Sequence, residues 1–122
     1  MLFADDDPGM RAIVSINLEA EGFEVTTVED GDEALREIER VHPDLIVLDV
    51  MMPGYDGFAV LDRLKGNPET AAIPVVLLTA KATDADVWEG WRSGADYYMT
   101  KPFKPEELAD FAHHILDGGG LW

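Results

Sequence analysis

Cysteine is absent from the 122 residues, which excludes a disulfide framework, a thiolate metal site and a cysteine nucleophile. Positive charge is scarce: nine Lys and Arg stand against 25 Asp and Glu, a formal net charge of −16. A nucleic-acid backbone or an anionic membrane would repel such a domain, so neither direct nucleic-acid binding nor membrane association is expected of it. No apolar run approaches the ~18 residues of a membrane-spanning helix. The apolar start over residues 1–4 is too short for a signal peptide, so the expected compartment is the cytoplasm. Low complexity is confined to Gly118-Gly119-Gly120. What is present, 47% hydrophobic and 28% charged residues, is the composition of a soluble globular domain. The length suits one domain, read as residues 1–117, followed by a glycine-rich C-terminal tail over 118–122.

Short apolar runs alternate five times with helical patterns, the signature of strand-helix units around a parallel sheet. The first strand is brief, residues 1–4, and Asp7-Pro8 then reads as an N-cap with proline at the first helical position. That first helix runs to about Glu21; its apolar positions Met10, Ile13, Val14, Ile16, Leu18 and Ala20 include the spacing of a core-facing stripe, not clean at both ends, and Gly22 is its stop. Residues 23–28 form the second strand. Asp30-Gly31 turns the chain into a second helix, where Ala34, Leu35, Ile38 and Val41 have helical spacing and His42-Pro43 is the end. Residues 45–48 and 74–78 have no polar face, as in central parallel strands covered by helices on both sides. Between them lie a turn-rich loop, Met52-Pro53-Gly54-Tyr55-Asp56-Gly57, and a third helix over residues 58–65. A fourth helix, capped by Thr83 or Asp84, reaches Arg92 and stops at Gly94; the fifth strand covers 95–99. The last helix spans 105–117, with Leu108, Phe111, Ala112 and Ile115 inward. Right-handed crossovers make the architecture a doubly wound α/β sheet of five strands and five helices.

In such a sheet ligands bind beyond the carboxyl ends of the strands. The residues just after strands 1, 3, 4 and 5 are Asp5-Asp6-Asp7, Asp49, Thr79 and Lys101. Asp7 is most simply a helix N-cap. Asp5 and Asp6 read either as a metal site or as a solvated loop; adjacent carboxylates repel by ~4 kcal/mol at ~4 Å and an effective dielectric of ~20, which a cation would remove. Asp49 alone reads equally as a strand-end cap, Thr79 as a β-branched strand residue and Lys101 as a surface charge. An all-carboxylate cluster suits a hard, oxygen-seeking ion, magnesium rather than zinc or copper. Together the set offers a carboxylate nucleophile, a cation site, a hydroxyl and an ammonium, which is what phosphoryl transfer needs.

These residues resemble the receiver domains of bacterial two-component response regulators, over essentially the whole chain. The matching motifs are Asp5-Asp6-Asp7; Leu48-Asp49-Val50-Met51-Met52-Pro53-Gly54-Tyr55-Asp56-Gly57; Leu78-Thr79-Ala80; and Gly94-Ala95-Asp96-Tyr97-Tyr98 leading into Lys101-Pro102-Phe103. The resemblance implies a flavodoxin-like strand order, 2-1-3-4-5. It implies that Asp49 is the phosphoacceptor, charged by a sensor histidine kinase or phosphotransfer protein. Mg²⁺ would be held by Asp5, Asp6, Asp49 and the Met51 carbonyl. Lys101 and Thr79 would stabilise the phosphoryl group, with Thr79 and Tyr98 as the switch pair and the Lys101-Pro102 peptide cis. The expected output is control of a downstream protein or domain through the fourth helix, fifth strand and fifth helix, by Mg²⁺-dependent self-phosphorylation and dephosphorylation rather than turnover of a separate substrate.

Met51 and Lys81 stand two residues beyond Asp49 and Thr79, positions the family uses to tune dephosphorylation, and a bulky Met51 is expected to hinder the attacking water. Trp91 is expected in the core, and Trp88, three residues earlier, is the candidate partner anchor. No Lys or Arg follows Lys104, so charge-paired dimerisation through the last helix is not assumed. The adjacent His113 and His114 point to different sides of a helix and read as ordinary surface or half-buried histidines. Three other functions fit these residues less well. A flavin carrier needs a Gly/Ser/Thr-rich loop after strand 1, where three aspartates stand. An aspartyl phosphohydrolase needs its nucleophile after strand 1 in a hydroxyl-containing motif, and extra residues for a substrate-covering cap, and the sequence offers neither. A receiver-like module that binds partners without phosphorylation has every chemical residue against it.

Overall fold

The two unbroken aliphatic runs form adjacent strands in the middle of a five-stranded parallel sheet, buried throughout. The structure, a computed structural model, describes residues 1–79 and 94–117. The elements are β1 (Leu2–Ala4), α1 (Pro8–Ala20), β2 (Thr26–Val28), α2 (Gly31–Val41), β3 (Ile46–Asp49), α3 (Gly57–Lys65), β4 (Val75–Thr79), β5 (Tyr97–Thr100) and a C-terminal helix (Pro105–Leu116). The strand order is β2-β1-β3-β4-β5, the doubly wound, flavodoxin-like order. Four of the five expected helices lie among the described residues. The expected fourth helix, with Lys81, Trp88 and Trp91, and the glycine tail lie outside them. No helix among the described residues is long and apolar enough to cross a membrane.

Alternation along each strand divides the core in two. Leu2, Ala4, Ile46, Leu48, Val75 and Leu77 pack with Ala34 and Ile38 of α2 and Val60, Leu61 and Leu64 of α3. Phe3, Val47, Val76 and Leu78 pack with Val14 and Leu18 of α1 and Leu108, Phe111, Ala112 and Ile115 of the C-terminal helix. Helices therefore cover both faces, which is why the central strands carry no polar alternation.

Several boundaries differ from expectation. β2 begins at Thr26 rather than Phe23, because its only neighbour, β1, starts at Leu2, which pairs with Thr26. Phe23 instead donates its N–H to the Leu18 carbonyl as the chain leaves α1. β5 begins at Tyr97, since Asp96 binds Val75 through both its N–H (3.2 Å) and its carboxylate (2.9 Å). α3 begins at Gly57, capped by Asp56, whose Oδ1 accepts the Ala59 N–H at 2.8 Å.

The α1 stripe also needs correction. Val14 and Leu18 are buried, but Ile13 is 50% and Ile16 69% exposed. At 100° per residue, Met10, Val14 and Leu18 share one face, and Ile13 and Ile16 share another. In α2, Val41 sits in the last turn and is exposed, unlike Ala34 and Ile38. His113 is half-buried, its ring 4.6 Å from that of Phe23 and its Nε2 3.5 Å from Glu21, and His114 is half-buried beside it. We expect Leu18→Ala to cost about 2–5 kcal/mol of stability, and Ile16→Ser to stay within about 0.5 kcal/mol of wild type, both read by urea denaturation.

Candidate functional site

The parallel register delivers side chains from separate strands to one level. The ladder continues one residue past three strands: Asp5 N–H donates to the Val28 carbonyl (3.1 Å), Val50 N–H to Leu78 (2.9 Å) and Lys101 N–H to Thr79 (2.8 Å). Ala4 pairs with Leu48, Asp49 with Leu78, and Thr79 with Thr100. Asp5, Asp49, Thr79 and Lys101 thus stand along one rim, at the carboxyl ends of β1, β3, β4 and β5. The strand order reverses between β1 and β3, the place where doubly wound sheets hold ligands.

Asp5 is fully buried and Asp49 is 5% exposed. Lys101 bridges them, with Nζ 2.9 Å from Asp5 Oδ2 and 3.0 Å from Asp49 Oδ2. The other oxygen of each accepts a backbone N–H, Asp5 Oδ1 from Asp7 (3.0 Å) and Asp49 Oδ1 from Met51 (3.1 Å). Every oxygen of the two buried carboxylates therefore has one donor and keeps acceptor capacity. Asp6 is exposed at the rim, and carboxylate oxygens of Asp5, Asp6 and Asp49 lie within 4.8 Å of one another. Among the described residues, three carboxylates against one ammonium leave two negative charges.

Burial pushes the Asp49 carboxyl above its ordinary range; the hydrogen bonds from Lys101 and Met51 oppose this, and the charge of Asp5 reinforces it. For Lys101, burial works to lower the ammonium's pKa, but the bonds to Asp5 and Asp49 outweigh it and the value is raised. The ammonium thus stays charged between its carboxylates.

Asp7 is the N-cap of α1, as expected: its Oδ1 accepts from Gly9 (2.9 Å) and Met10 (3.4 Å). Thr79 is buried at the end of β4, and Tyr98 is half-buried, packed against the core. The Lys101-Pro102 peptide is cis. Met51 lays its backbone against Asp49 while its side chain is 73% exposed. A second acidic group, Glu29, Asp30 and Glu33, lies on the face read as solvated, where Asp30 caps α2 through the Glu33 N–H at 2.8 Å. Sequence reasoning missed Arg11, whose Nη1 donates to the Asp5 carbonyl at 2.8 Å while Nη2 stands 3.7 Å from Glu29. The available signal was that Arg11 is the one basic residue in α1, a turn beyond three aspartates.

The sequence model of the family described as the response regulator receiver domain matches residues 1–113. The chain belongs to this family. The DNA-binding dual master transcriptional regulator RpaA of Synechocystis is 46% identical over 108 residues, which cover 88% of this chain and 45% of that protein. The DNA-binding response regulator MtrA of Mycolicibacterium smegmatis is 43% identical over 108 residues, covering 88% and 46%. The receiver domain thus spans about half the length of the curated relatives it matches. Among solved structures, the signal receiver domain of a signal transduction histidine kinase from Syntrophus aciditrophicus matches with TM-score 0.88 and 38% identity, over 96% of this chain and 89% of that one. The chemotaxis response regulator CheY4 of Vibrio cholerae matches with TM-score 0.88 and 32% identity, over 93% and 95%.

Because the Asp49 carboxyl is raised, the folded receiver domain holds that proton more tightly than the unfolded chain does. The stability this confers is present in acid and is lost as pH rises from the ordinary carboxylate range through the raised value. Asp49→Asn, which cannot ionise, should therefore exceed wild type in stability at neutral pH. The gap should close as the pH falls through that window, as chemical denaturation at a series of pH values will show.

Proposed function

We propose that this receiver domain accepts a phosphoryl group on Asp49 from the phosphohistidine of a sensor kinase or phosphotransfer protein. The observation that carries the reading is the buried Asp49 carboxylate, bonded to Lys101 and grouped with Asp5 and Asp6. In the transfer the phosphorus–nitrogen bond of the donor breaks as an Asp49 oxygen bonds to phosphorus, forming an acyl phosphate. Little covalent chemistry is asked of the protein beyond this: the work is positioning and charge neutralisation.

An all-oxygen donor set with two unbalanced negative charges fits Mg²⁺. Asp5, Asp6, Asp49 and the Met51 carbonyl would hold it, and when bound it would neutralise charge on the transferring phosphoryl oxygens. Lys101 holds the Asp49 carboxylate in place and has donor capacity for the arriving phosphoryl oxygens. The Thr79 hydroxyl, at the end of the next strand, takes another of them. That movement frees space on the β5 side for Tyr98, and the altered surface there controls an output domain or partner. Relatives named as DNA-binding regulators extend well beyond the matched region, which leaves room for such an output outside the part that this chain spans. We assign the activity to the cytoplasm, where the kinase's phosphohistidine would be met.

Intact-mass spectrometry after incubation with acetyl phosphate tests the core of this proposal. One added phosphoryl group is expected in wild type with Mg²⁺, and none without Mg²⁺ or in Asp49→Ala. An adduct persisting in Asp49→Ala would assign the wrong residue, and no adduct in folded wild type would favour a phosphorylation-independent binding module. Met51 stands two residues beyond Asp49 with a bulky, exposed side chain; on the reading that this bulk hinders the attacking water, Met51→Asn should lose the phosphoryl group faster than wild type in a decay time course.

A further inference from the structure

We propose that Gly57, the first residue of α3, is a positioning residue for Asp49, acting through the backbone that carries the carboxylate. This rests on the reading of Asp49 as the phosphoacceptor. Gly57 is buried, and a Cβ on it would stand 2.7 Å from the Asp49 carbonyl oxygen, 2.8 Å from Val50 Cα and 3.1 Å from the Asp49 carbonyl carbon. Its φ is not in the left-handed region, so glycine is not needed there for conformational freedom. The requirement is room. The atoms it faces are backbone, which cannot swing aside as the end of a side chain can.

Neither partner in this contact can yield cheaply. On the strand side, Asp49 pairs with Leu78, and the Val50 N–H bonds the Leu78 carbonyl at 2.9 Å. On the helix side, the Gly57 N–H donates back to the Val50 carbonyl at 3.0 Å, and Asp56 caps the first turn. Val60, Leu61 and Leu64 then anchor α3 in the core. A side chain at position 57 must therefore tilt α3 or shift the Asp49 peptide, and with it a carboxylate held at 3.0 Å from Lys101 and 3.1 Å from Met51. Gly31 offers an internal contrast. A Cβ there would also strike backbone, 2.7 Å from the Tyr55 carbonyl carbon, but its three nearest atoms all belong to Tyr55 and none to Asp49 or Val50.

The test compares Gly57→Ala, Gly31→Ala and Asp56→Ala with wild type, each at a temperature where circular dichroism shows it folded. Two quantities are read: the Mg²⁺ dissociation constant by calorimetry, and the limiting rate of phosphorylation at saturating acetyl phosphate. Gly57→Ala should weaken Mg²⁺ binding and slow the limiting rate by about tenfold or more, as expected for a displaced reacting group. Gly31→Ala should lose thermal stability yet change both by less than about threefold. Asp56→Ala, which frays the first turn of α3 without adding bulk, should move both in the same direction as Gly57→Ala by a smaller factor. A folded Gly57→Ala within about twofold of wild type in both readouts overturns the proposal. So does a Gly31→Ala that loses as much as Gly57→Ala. Should Gly57→Ala not fold, Asp56→Ala decides by the same comparison. If wild type takes no phosphoryl group, the phosphoacceptor reading fails separately, and the Mg²⁺ constants alone decide whether Gly57 positions the carboxylate.

Discussion

Two carboxylates buried side by side at the ends of adjacent strands are the constraint around which the molecule is arranged. At ~4 Å and an effective dielectric of ~20 their repulsion is ~4 kcal/mol, on the scale of a whole domain's net stability. The single ammonium that offsets it comes from beyond β5, with β4 in between, so the pair is tolerable only if the sheet closes in the order β2-β1-β3-β4-β5 with its present register. Local and global structure are thereby tied together: a one-residue slip of β5 would move Lys101 away and leave both charges uncompensated.

The scaffold meets this demand with strands paired in one continuous parallel register and with helices α1, α2 and α3 that follow β1, β2 and β3. Asp7, Asp30 and Asp56 cap α1, α2 and α3, so part of the acidic excess at this end satisfies helix N–H groups rather than adding free charge. Arg11 adds a guanidinium on the Asp5 carbonyl, at the point where the chain turns from β1 toward α1. Acidic composition, helix capping and the site are for this reason one feature viewed at different scales.

What could be read from the sequence follows from how local each signal is. The runs 45–48 and 74–78 announce doubly covered strands because burial on both faces leaves no polar position, and all of these residues but Pro74, which precedes β4, are buried. The triple aspartate, Asp49, Thr79 and Lys101 could be assembled because strand ends in this topology share a rim. Ile13 and Ile16 were misplaced because hydrophobicity says that a residue can be buried, not that a neighbour arrives to cover it, and α1 uses only the face of Val14 and Leu18. Arg11 and Gly57 were missed for a different reason. One acts by donating to a carbonyl and the other by lacking a side chain, and neither leaves a periodic or charge-pairing trace. The Asp56-Gly57 pair has the composition of a turn, and only its approach to Asp49 gives the glycine a second meaning.

The charge balance of the rim bears on how the proposed switch would work. With three carboxylates and one ammonium among the described residues, the site is two charges short of neutral, an amount a divalent ion removes. On the proposed chemistry, phosphorylation then adds negative charge at Asp49, more than the one remaining Lys101 N–H can meet, since two of its three donors are on carboxylates and the Met51 N–H is on Asp49 Oδ1. The added charge must recruit donors from beyond the resting set, and Thr79 stands at the end of β4, between β3 and β5. The response is therefore directed toward the β4–β5 edge rather than toward β1 and β2, where Asp5 and Asp6 would repel it. Tyr98 lies on that edge, half-buried and lining a groove of about 370 Å³ with Met99, Glu107, Asp110 and Phe111. A half-buried aromatic beside such a groove has room for a second packing arrangement, and a site whose charge deficit pulls on one strand edge supplies the bias between the two.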